Sequence, residues 1–374
     1  PFYVEQFSES PYNFEAVFPE KSQGNSLRKD FRSFNRLRKP LETLNRLIRR
    51  NWANLNWHEP SVDCPCDLIH SAQRLLKNIN QSYVVDFEQV GAFGFHDRAI
   101  MNNQRYRNDL INAFSDKKLV KILPWTKMAL ESFKTYLADD PLAQDILGKT
   151  EVLLPAIRPR VESTKKLTRT DQTRLLFVGS PFLFKGGYEV LEAVRKLSES
   201  GLDVQLDIVT KCQISDFNPT TYINIHSRIS QLEINQLYKN AHILLMPQHM
   251  DTLGYVIMEA FANAIPVVVT NNFSTPELVD GKNGLIVDNP ISFWDQNGIQ
   301  RYDWWEERAF ETEAREAVKA PNYVESIQRA ILEIRDNFEE FSFNALQTVT
   351  IGELSFSKRL VKLGKIYHDC LSVY

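Results

Sequence analysis

The sequence predicts an α/β protein of two doubly wound domains. Three observations carry that expectation. From residue 173 onward, short apolar runs alternate with amphipathic stretches of helical period, the pattern of a parallel sheet covered by helices on both faces. A weaker version of the same alternation occupies residues 67–155. Between the two, residues 155–172 are polar, carry Pro155 and Pro159, and read as a linker. With 374 residues, 43% of them hydrophobic, the chain can fill two cores. The expected boundaries are 1–160 for the first domain, joined by a terminal helix over 356–374, and 161–355 for the second.

In the first half, residues 67–71, 83–88 and 119–124 read as strands, with a further strand at 152–155. Helices are expected over 98–114 and 126–137. In the second half, residues 174–180 form a buried strand. Val190, Leu191, Val194 and Leu197 recur at helical spacing over 188–197, and Gly201 marks the stop. Strands follow at 204–209, 222–226, 243–247 and 265–270. Ser230 with Glu233 spells a capping box at the head of a helix over 230–238. Residues 255–264 are helical, and Thr275-Pro276-Glu277 opens a short helix. Residues 289–320, with Trp294, Trp304 and Trp305, have no period and read as an insertion or long loop.

Charge and cysteine narrow the function classes. The net charge is −3, which gives no reason to expect a nucleic-acid partner. Residues 21–50 nevertheless hold ten basic side chains against Asp30 and Glu42. Phe31, Phe34, Leu37 and Leu41 interleave with them. Two readings stand: an amphipathic surface over 28–52 that touches anionic lipid, or a basic-faced helix pair packed on its own domain, with Pro40 opening the second helix. The packed pair is favoured. No apolar run approaches the ~20 residues of a membrane span, and no secretory leader is visible. The expectation is a cytoplasmic protein, with peripheral membrane contact left open. Cys64, Cys66, Cys212 and Cys370 read as free thiols, since Cys64-Pro65-Cys66 is too tight for an easy disulfide. The seven histidines form no ligand cluster, and His70, at a strand end, reads as structural.

The chain has only 14 glycines, about 4% against a usual ~7%, and seven of them fall between Gly179 and Gly284. In that region a strand ends at Met246-Pro247, a loop carries Asp251 and Gly254, and a helix follows. A helix N-terminus at the carboxyl end of a parallel strand is an anion site. Gly254 lets backbone approach a ligand closely. Glu259 can offer a bidentate carboxylate to a ribose diol, and Asp251 can bind sugar hydroxyls. The plainer reading makes Asp251 a cap and Glu259 a solvated helix residue. The apolar neighbours of Glu259 (Val256, Ile257, Met258, Ala260, Phe261) weigh against solvation. No G-x-G-x-x-G, Walker, zincin or nucleophile-elbow motif is present.

The stretch D-TLG-YVIM-EA-FANAIPVV (Asp251 to Val268), with the PELVDGKNGLIV tail, resembles the C-terminal domain of the retaining GT-B glycosyltransferases of family 4, the glycosyl transferases group 1. The likeness is strong over residues 172–288 and weak over 67–155 and the last helix. It implies two Rossmann-like domains facing across a cleft, the second holding a nucleotide-sugar donor and the first a glycan or lipid-linked acceptor. It implies transfer with retention and without a metal or other cofactor. Glu259 then holds the nucleotide ribose. Asp251 contacts the transferred sugar. Gly254, Tyr255 and Val256 present backbone N–H groups to the diphosphate or sugar. Lys185, in Phe184-Lys185-Gly186-Gly187, neutralises the leaving diphosphate, with Gly186 beside it; its plainer reading is a solvated turn lysine. Ile229 touches the base through its backbone.

Four positions depart from the family pattern. Ser180-Pro181 stands where an Arg is usual, with Arg158 and Lys211 as replacements to consider. Asp251 is one methylene shorter than the usual Glu. Glu88 occupies the place of a strand-end His; it can bind a sugar hydroxyl or act as base or nucleophile-like carboxylate, and its plainer reading is a loop acid. Ala264 replaces a glycine. Two alternatives stay open: a catalytically degenerate sugar-nucleotide-binding subunit, and a nucleotide-sugar epimerase or hydrolase of the same fold.

Overall fold

The computed structural model describes residues 66–164, 167, 171–214, 220–303, 307–318 and 320–372, with isolated positions 6, 11, 14, 57 and 58. The basic stretch 28–52, Cys64, Trp304 and Trp305 lie outside the described residues. The strands are β1 (Trp57–His58), β2 (Leu68–Ala72), β3 (Leu75–Leu76), β4 (Ser82–Phe87), β5 (Leu119–Pro124), β6 (Thr173–Val178), β7 (Val204–Val209), β8 (Ile223–His226), β9 (Ile243–Met246), β10 (Val267–Thr270) and β11 (Gly284–Val287). The helices are α1 (Arg98–Met101), α2 (Gln104–Phe114), α3 (Lys127–Leu137), α4 (Ala143–Gly148), α5 (Gly187–Glu199), α6 (Gln231–Asn240), α7 (Tyr255–Ala262), α8 (Thr275–Leu278), α9 (Glu307–Val318), α10 (Pro321–Asp336), α11 (Phe338–Thr350) and α12 (Phe356–Leu371).

Two parallel sheets organise the chain. The first runs β2-β4-β5. Alternation along β4 sends Tyr83, Val85 and Phe87 into one core, with α2 and α3, and Val84 into another beneath α12. Burying Leu363 and Ile366 of α12 there contributes roughly 1.5–3 kcal/mol each. The terminal helix therefore docks on the first sheet, where Tyr367 Oη lies 2.6 Å from His70 Nδ1. The second sheet runs β11-β10-β9-β6-β7-β8, all parallel. Every residue of β9 (Ile243–Met246) and β10 (Val267–Thr270) is buried, as strands covered on both faces require. In chain order this is the 3-2-1-4-5-6 arrangement of a doubly wound fold, and its direction reverses between β6 and β9.

Three local expectations are corrected. The helix expected over 98–114 is two helices. Asn103 interrupts it, its side chain accepting from Tyr106 N at 3.1 Å to cap α2; a short amide side chain competes with the helix for backbone hydrogen bonds. Residues 152–155 form no strand. They run beside β5, with Leu153 N donating to Pro124 O at 2.9 Å, but the pairing is an isolated bridge at Thr150. Residues 289–320, expected as an insertion or long loop, are not loop throughout. Asp295 folds 295–299 into a turn by accepting from Asn297 N and Ile299 N at 2.9 Å, α9 follows, and Phe293, Trp294 and Phe310 are buried in the first domain's core. The folded-back loop over 289–303 leaves no period to read, whereas Phe310, Ala314 and Ala317 of α9 do recur at helical spacing and were overlooked. Helices α10 and α11, which the sequence reading did not assign, pack on α5 and α7.

The insertion ties the two halves together. Gln89 Nε2 donates to Gly298 O at 3.2 Å and Gln300 Nε2 to His96 O at 2.7 Å. Arg98 N donates to Asp303 Oδ1 at 2.6 Å. Glu277, at the start of α8, accepts from Lys127 N at 2.7 Å and Met128 N at 2.8 Å. A carboxylate from one domain thus caps a helix of the other. Among the described residues, no helix is long and apolar enough to cross a membrane.

Candidate functional site

The site lies where the strand order reverses. The loop after β6 carries Gly179 to Gly186, and the loop after β9 carries Pro247 to Gly254. Adjacent parallel strands whose helices depart in opposite directions leave a crevice at their carboxyl ends. Both helices that leave it, α5 and α7, begin at a left-handed glycine, Gly186 (φ +76°) and Gly254 (φ +73°). Neither start carries a side-chain cap. A helix start without a side-chain cap suits an anionic ligand; within these two, Gly187 N donates to Phe182 O at 2.9 Å and Ile257 N to Gly254 O at 2.8 Å. At Gly186 the approach is closest: a Cβ there would stand 2.1 Å from Pro247 O.

Lys185 and Asp251 meet across the crevice. Lys185 Nζ donates to Asp251 Oδ2 at 2.7 Å and to Met250 O at 2.9 Å. Both side chains are largely covered, at 13% and 21% exposure, so the pair is screened less than a surface pair. Asp251 is held from two more sides. Its Oδ1 accepts from Thr252 N at 2.9 Å, and its backbone O accepts from the Trp294 indole at 2.8 Å.

Glu88 arrives from the other domain. Its Oε2 accepts from Thr252 Oγ at 2.9 Å. Burial raises its pKa, the Thr252 hydrogen bond and Lys185 oppose the rise, and Asp251 and Asp86 add to it. His96 Nε2 lies 4.0 Å from Glu88 Oε1. Burial pulls the His96 pKa down to about 4, so at neutral pH this is a neutral ring beside a carboxyl and not an ion pair. A raised carboxyl pKa favours folding below the ordinary Glu value and loses that contribution as pH rises through the folded value. Glu88→Gln is therefore expected to gain thermal stability relative to the parent between pH 4 and pH 8, read as a growing difference in Tm. A constant difference across that range would contradict the assignment.

Glu259 projects from the apolar helix α7, whose Ile257, Met258, Ala260, Phe261 and Ala262 are buried. Its Oε2 accepts from Tyr238 Oη at 3.0 Å, and its Oε1 lies 3.4 Å from Arg160 Nη2. Arg160 N also donates to Ala262 O at 2.7 Å. The carboxylate is thus a paired, partly covered group, as its apolar setting required. Ile229 sits half-buried in the β8–α6 loop, immediately before the cap Ser230. Of the two replacement cations considered, Arg158 stacks over the Phe356 ring at 4.3 Å. Lys211 is exposed, with its backbone N bonded to Ser180 Oγ at 3.0 Å.

Sequence reasoning did not find Thr252, Trp294, His96, Arg160 or Tyr238. Of these, Tyr238 carried a local signal, recurring with Ile234 at helical spacing, but that spacing reads as core packing.

Comparison with known proteins agrees with this architecture. Residues 160–296 match the family described as glycosyl transferases group 1. A D-inositol 3-phosphate glycosyltransferase of Arthrobacter sp. (strain FB24) is 27% identical over 150 residues, 37% of this chain and 35% of that protein. The lipopolysaccharide glucosyltransferase WaaG of Escherichia coli (strain K12) is 23% identical over 207 residues, 50% of this chain and 54% of that protein. The matched stretches thus span about a third to a half of these relatives' length. The sucrose-phosphate synthase of Thermosynechococcus elongatus superposes with a TM-score of 0.56 at 13% identity, over 90% of this chain and 79% of that one.

Proposed function

We propose, from the match of residues 160–296 to the glycosyl transferases group 1 and from the GT-B fold, that the chain transfers a sugar from a nucleotide-sugar donor to a glycan or lipid-linked acceptor, with retention and without a metal. The observation that carries the reading is the Lys185–Asp251 pair at the strand-order reversal, flanked by two uncapped helix starts. Charge develops on the leaving phosphate as the bond from the anomeric carbon to the phosphate oxygen breaks. Lys185 and the N–H groups at Gly254, Tyr255 and Val256 offer a fixed positive field for that charge. Gly186 lets the loop after β6 pack directly against Pro247 of the loop after β9, which brings the two sides of the crevice together.

The acceptor oxygen bonds the anomeric carbon from the same face the phosphate leaves, and its proton passes to the departing phosphate oxygen. Asp251, held by Lys185 and Thr252 N, faces the transferred sugar. Glu88 faces the same sugar or the acceptor from the first domain. The interdomain bonds of Glu277, Gln89 and Gln300 keep the domains together around the cleft, which suppresses donor hydrolysis by excluding water. A lipid-linked acceptor would bring 28–52, outside the described residues, to an anionic surface.

On this reading Glu259 takes the ribose diol with the oxygens that Arg160 and Tyr238 now hold. Glu259→Gln removes the charge from that acceptor. A hydrogen bond to a charged group contributes roughly 1.5–3 kcal/mol, so nucleoside diphosphate affinity falls about tenfold to a hundredfold. Calorimetric titration with UDP, GDP and ADP measures it. Unchanged affinity in the variant would remove Glu259 from the site. The second reading, a binding subunit without turnover, is favoured by one observation: Arg158, the linker arginine considered as the replacement, lies on Phe356 at 4.3 Å and not at Ser180.

A further inference from the structure

A second pair of charges lies next to the Lys185–Asp251 pair, and the reaction as proposed makes no use of it. Glu189 Oε1 and His249 Nε2 stand 2.6 Å apart, with both side chains wholly excluded from solvent. The other ring nitrogen, His249 Nδ1, lies 2.9 Å from Asn289 Oδ1. That oxygen also accepts from Ile291 N at 3.3 Å. Both ring nitrogens therefore face acceptors. A neutral imidazole has one N–H and would set a lone pair against an oxygen, so the geometry fits an imidazolium. Burial pulls its pKa down, but the hydrogen bond and charge of Glu189, with Asn289, outweigh burial and leave it raised.

Stability does not account for this arrangement. Glu189 occupies the apolar face of α5, beside Val190, Ala193, Val194 and Leu197. Apolar residues of similar volume at such a buried pair are commonly as stable or more so. What the pair does is join two loops. Glu189 lies in the first turn of α5, four residues after Lys185. His249 lies two residues before Asp251. His249 N donates to Phe184 O at 2.9 Å, and Met250 N approaches the same oxygen at 3.3 Å. The charge pair closes this clasp from the side-chain end, with Tyr323 Oη holding Pro247 O at 3.0 Å from α10.

We infer that Glu189 and His249 are positioning residues: their buried pair holds the loops after β6 and β9 in the register that sets Lys185 against Asp251 and, on the function proposed above, against the donor's leaving phosphate. Removing either partner alone strands a buried charge and destabilises the fold, so the informative variant is the apolar pair Glu189→Met/His249→Leu. It is expected to melt within a few degrees of the parent. Donor turnover is expected to fall about tenfold to a hundredfold in kcat, the cost of a misplaced catalytic group, with KM for the donor nearly unchanged. The conservative Glu189→Asp, which keeps the carboxylate charge beside His249, is expected to retain more kcat than the apolar pair. Native kcat in a stably folded apolar double variant would overturn the inference. So would a kcat loss that only follows a loss of folded protein. If the parent turns over no donor, the functional reading fails by itself, and the crystal structure of the double variant decides the inference. A lost Lys185 Nζ–Asp251 contact supports it, and a retained 2.7 Å contact overturns it.

Discussion

Lys185→Ala lowers sugar-transfer kcat by about 10²–10³-fold, the cost of removing one preorganised charge-stabilising donor. The expectation rests on where the ammonium sits. It is largely buried, at the carboxyl end of β6, and fixed by two oxygens, Asp251 Oδ2 and Met250 O. It is therefore oriented before a donor arrives, and no reorganisation is spent at the moment charge develops on the phosphate. The variant also leaves Asp251 without its cation, so the loop carrying Trp294's acceptor loosens as well. Steady-state kinetics separate the two effects: the loss falls mainly on kcat, while donor KM moves less, because the interaction strengthens only as the bond breaks. Equal kcat in Lys185→Ala and the parent would remove Lys185 from the chemistry.

Gly186→Ala destabilises the fold by about 2–5 kcal/mol, combining the left-handed backbone penalty with overpacking. The φ of +76° is one contribution; the methyl's position 2.1 Å from Pro247 O is the other. That carbonyl cannot step aside freely, because it receives the Tyr323 hydroxyl and heads the loop to Asp251. Gly254→Ala is the control. Its φ of +73° is similar, but its nearest neighbour is the terminal Cδ1 of Ile257 at 2.7 Å, which can rotate. Its cost should be about 1–2 kcal/mol. Urea unfolding of both variants ranks them, and equal costs would show that the backbone contact at Pro247 does not matter.

These two positions mark what the sequence made legible. Strand and helix periods placed β6, β9, α5 and α7 within a residue or two of their bounds. Local signals were enough for Ser230, whose capping box forms as expected. The site's supporting groups were not legible, because they meet across long stretches of chain. Thr252 reaches Glu88 over 164 positions, and Trp294 is brought to Asp251 by a loop with no period. Arg160 reaches Glu259 from a segment that reads as mere linker. Besides Tyr238, one further missed residue carried a signal. Glu189 is an acid on the buried face of an amphipathic helix, and a charge there requires a partner, which the structure supplies as His249. The helix break at Asn103 was local, but the apolar pattern on both sides of it outweighed two asparagines.

The central claim is that the crevice between β6 and β9 binds and cleaves a nucleotide-sugar. Release of nucleoside diphosphate from UDP-, GDP- and ADP-sugars by the full chain, with acceptor extract present, tests it most directly. The account predicts release from one base class, abolished or nearly so in both Lys185→Ala and Glu259→Ala. No release from any donor, or release undiminished in both variants, would contradict it.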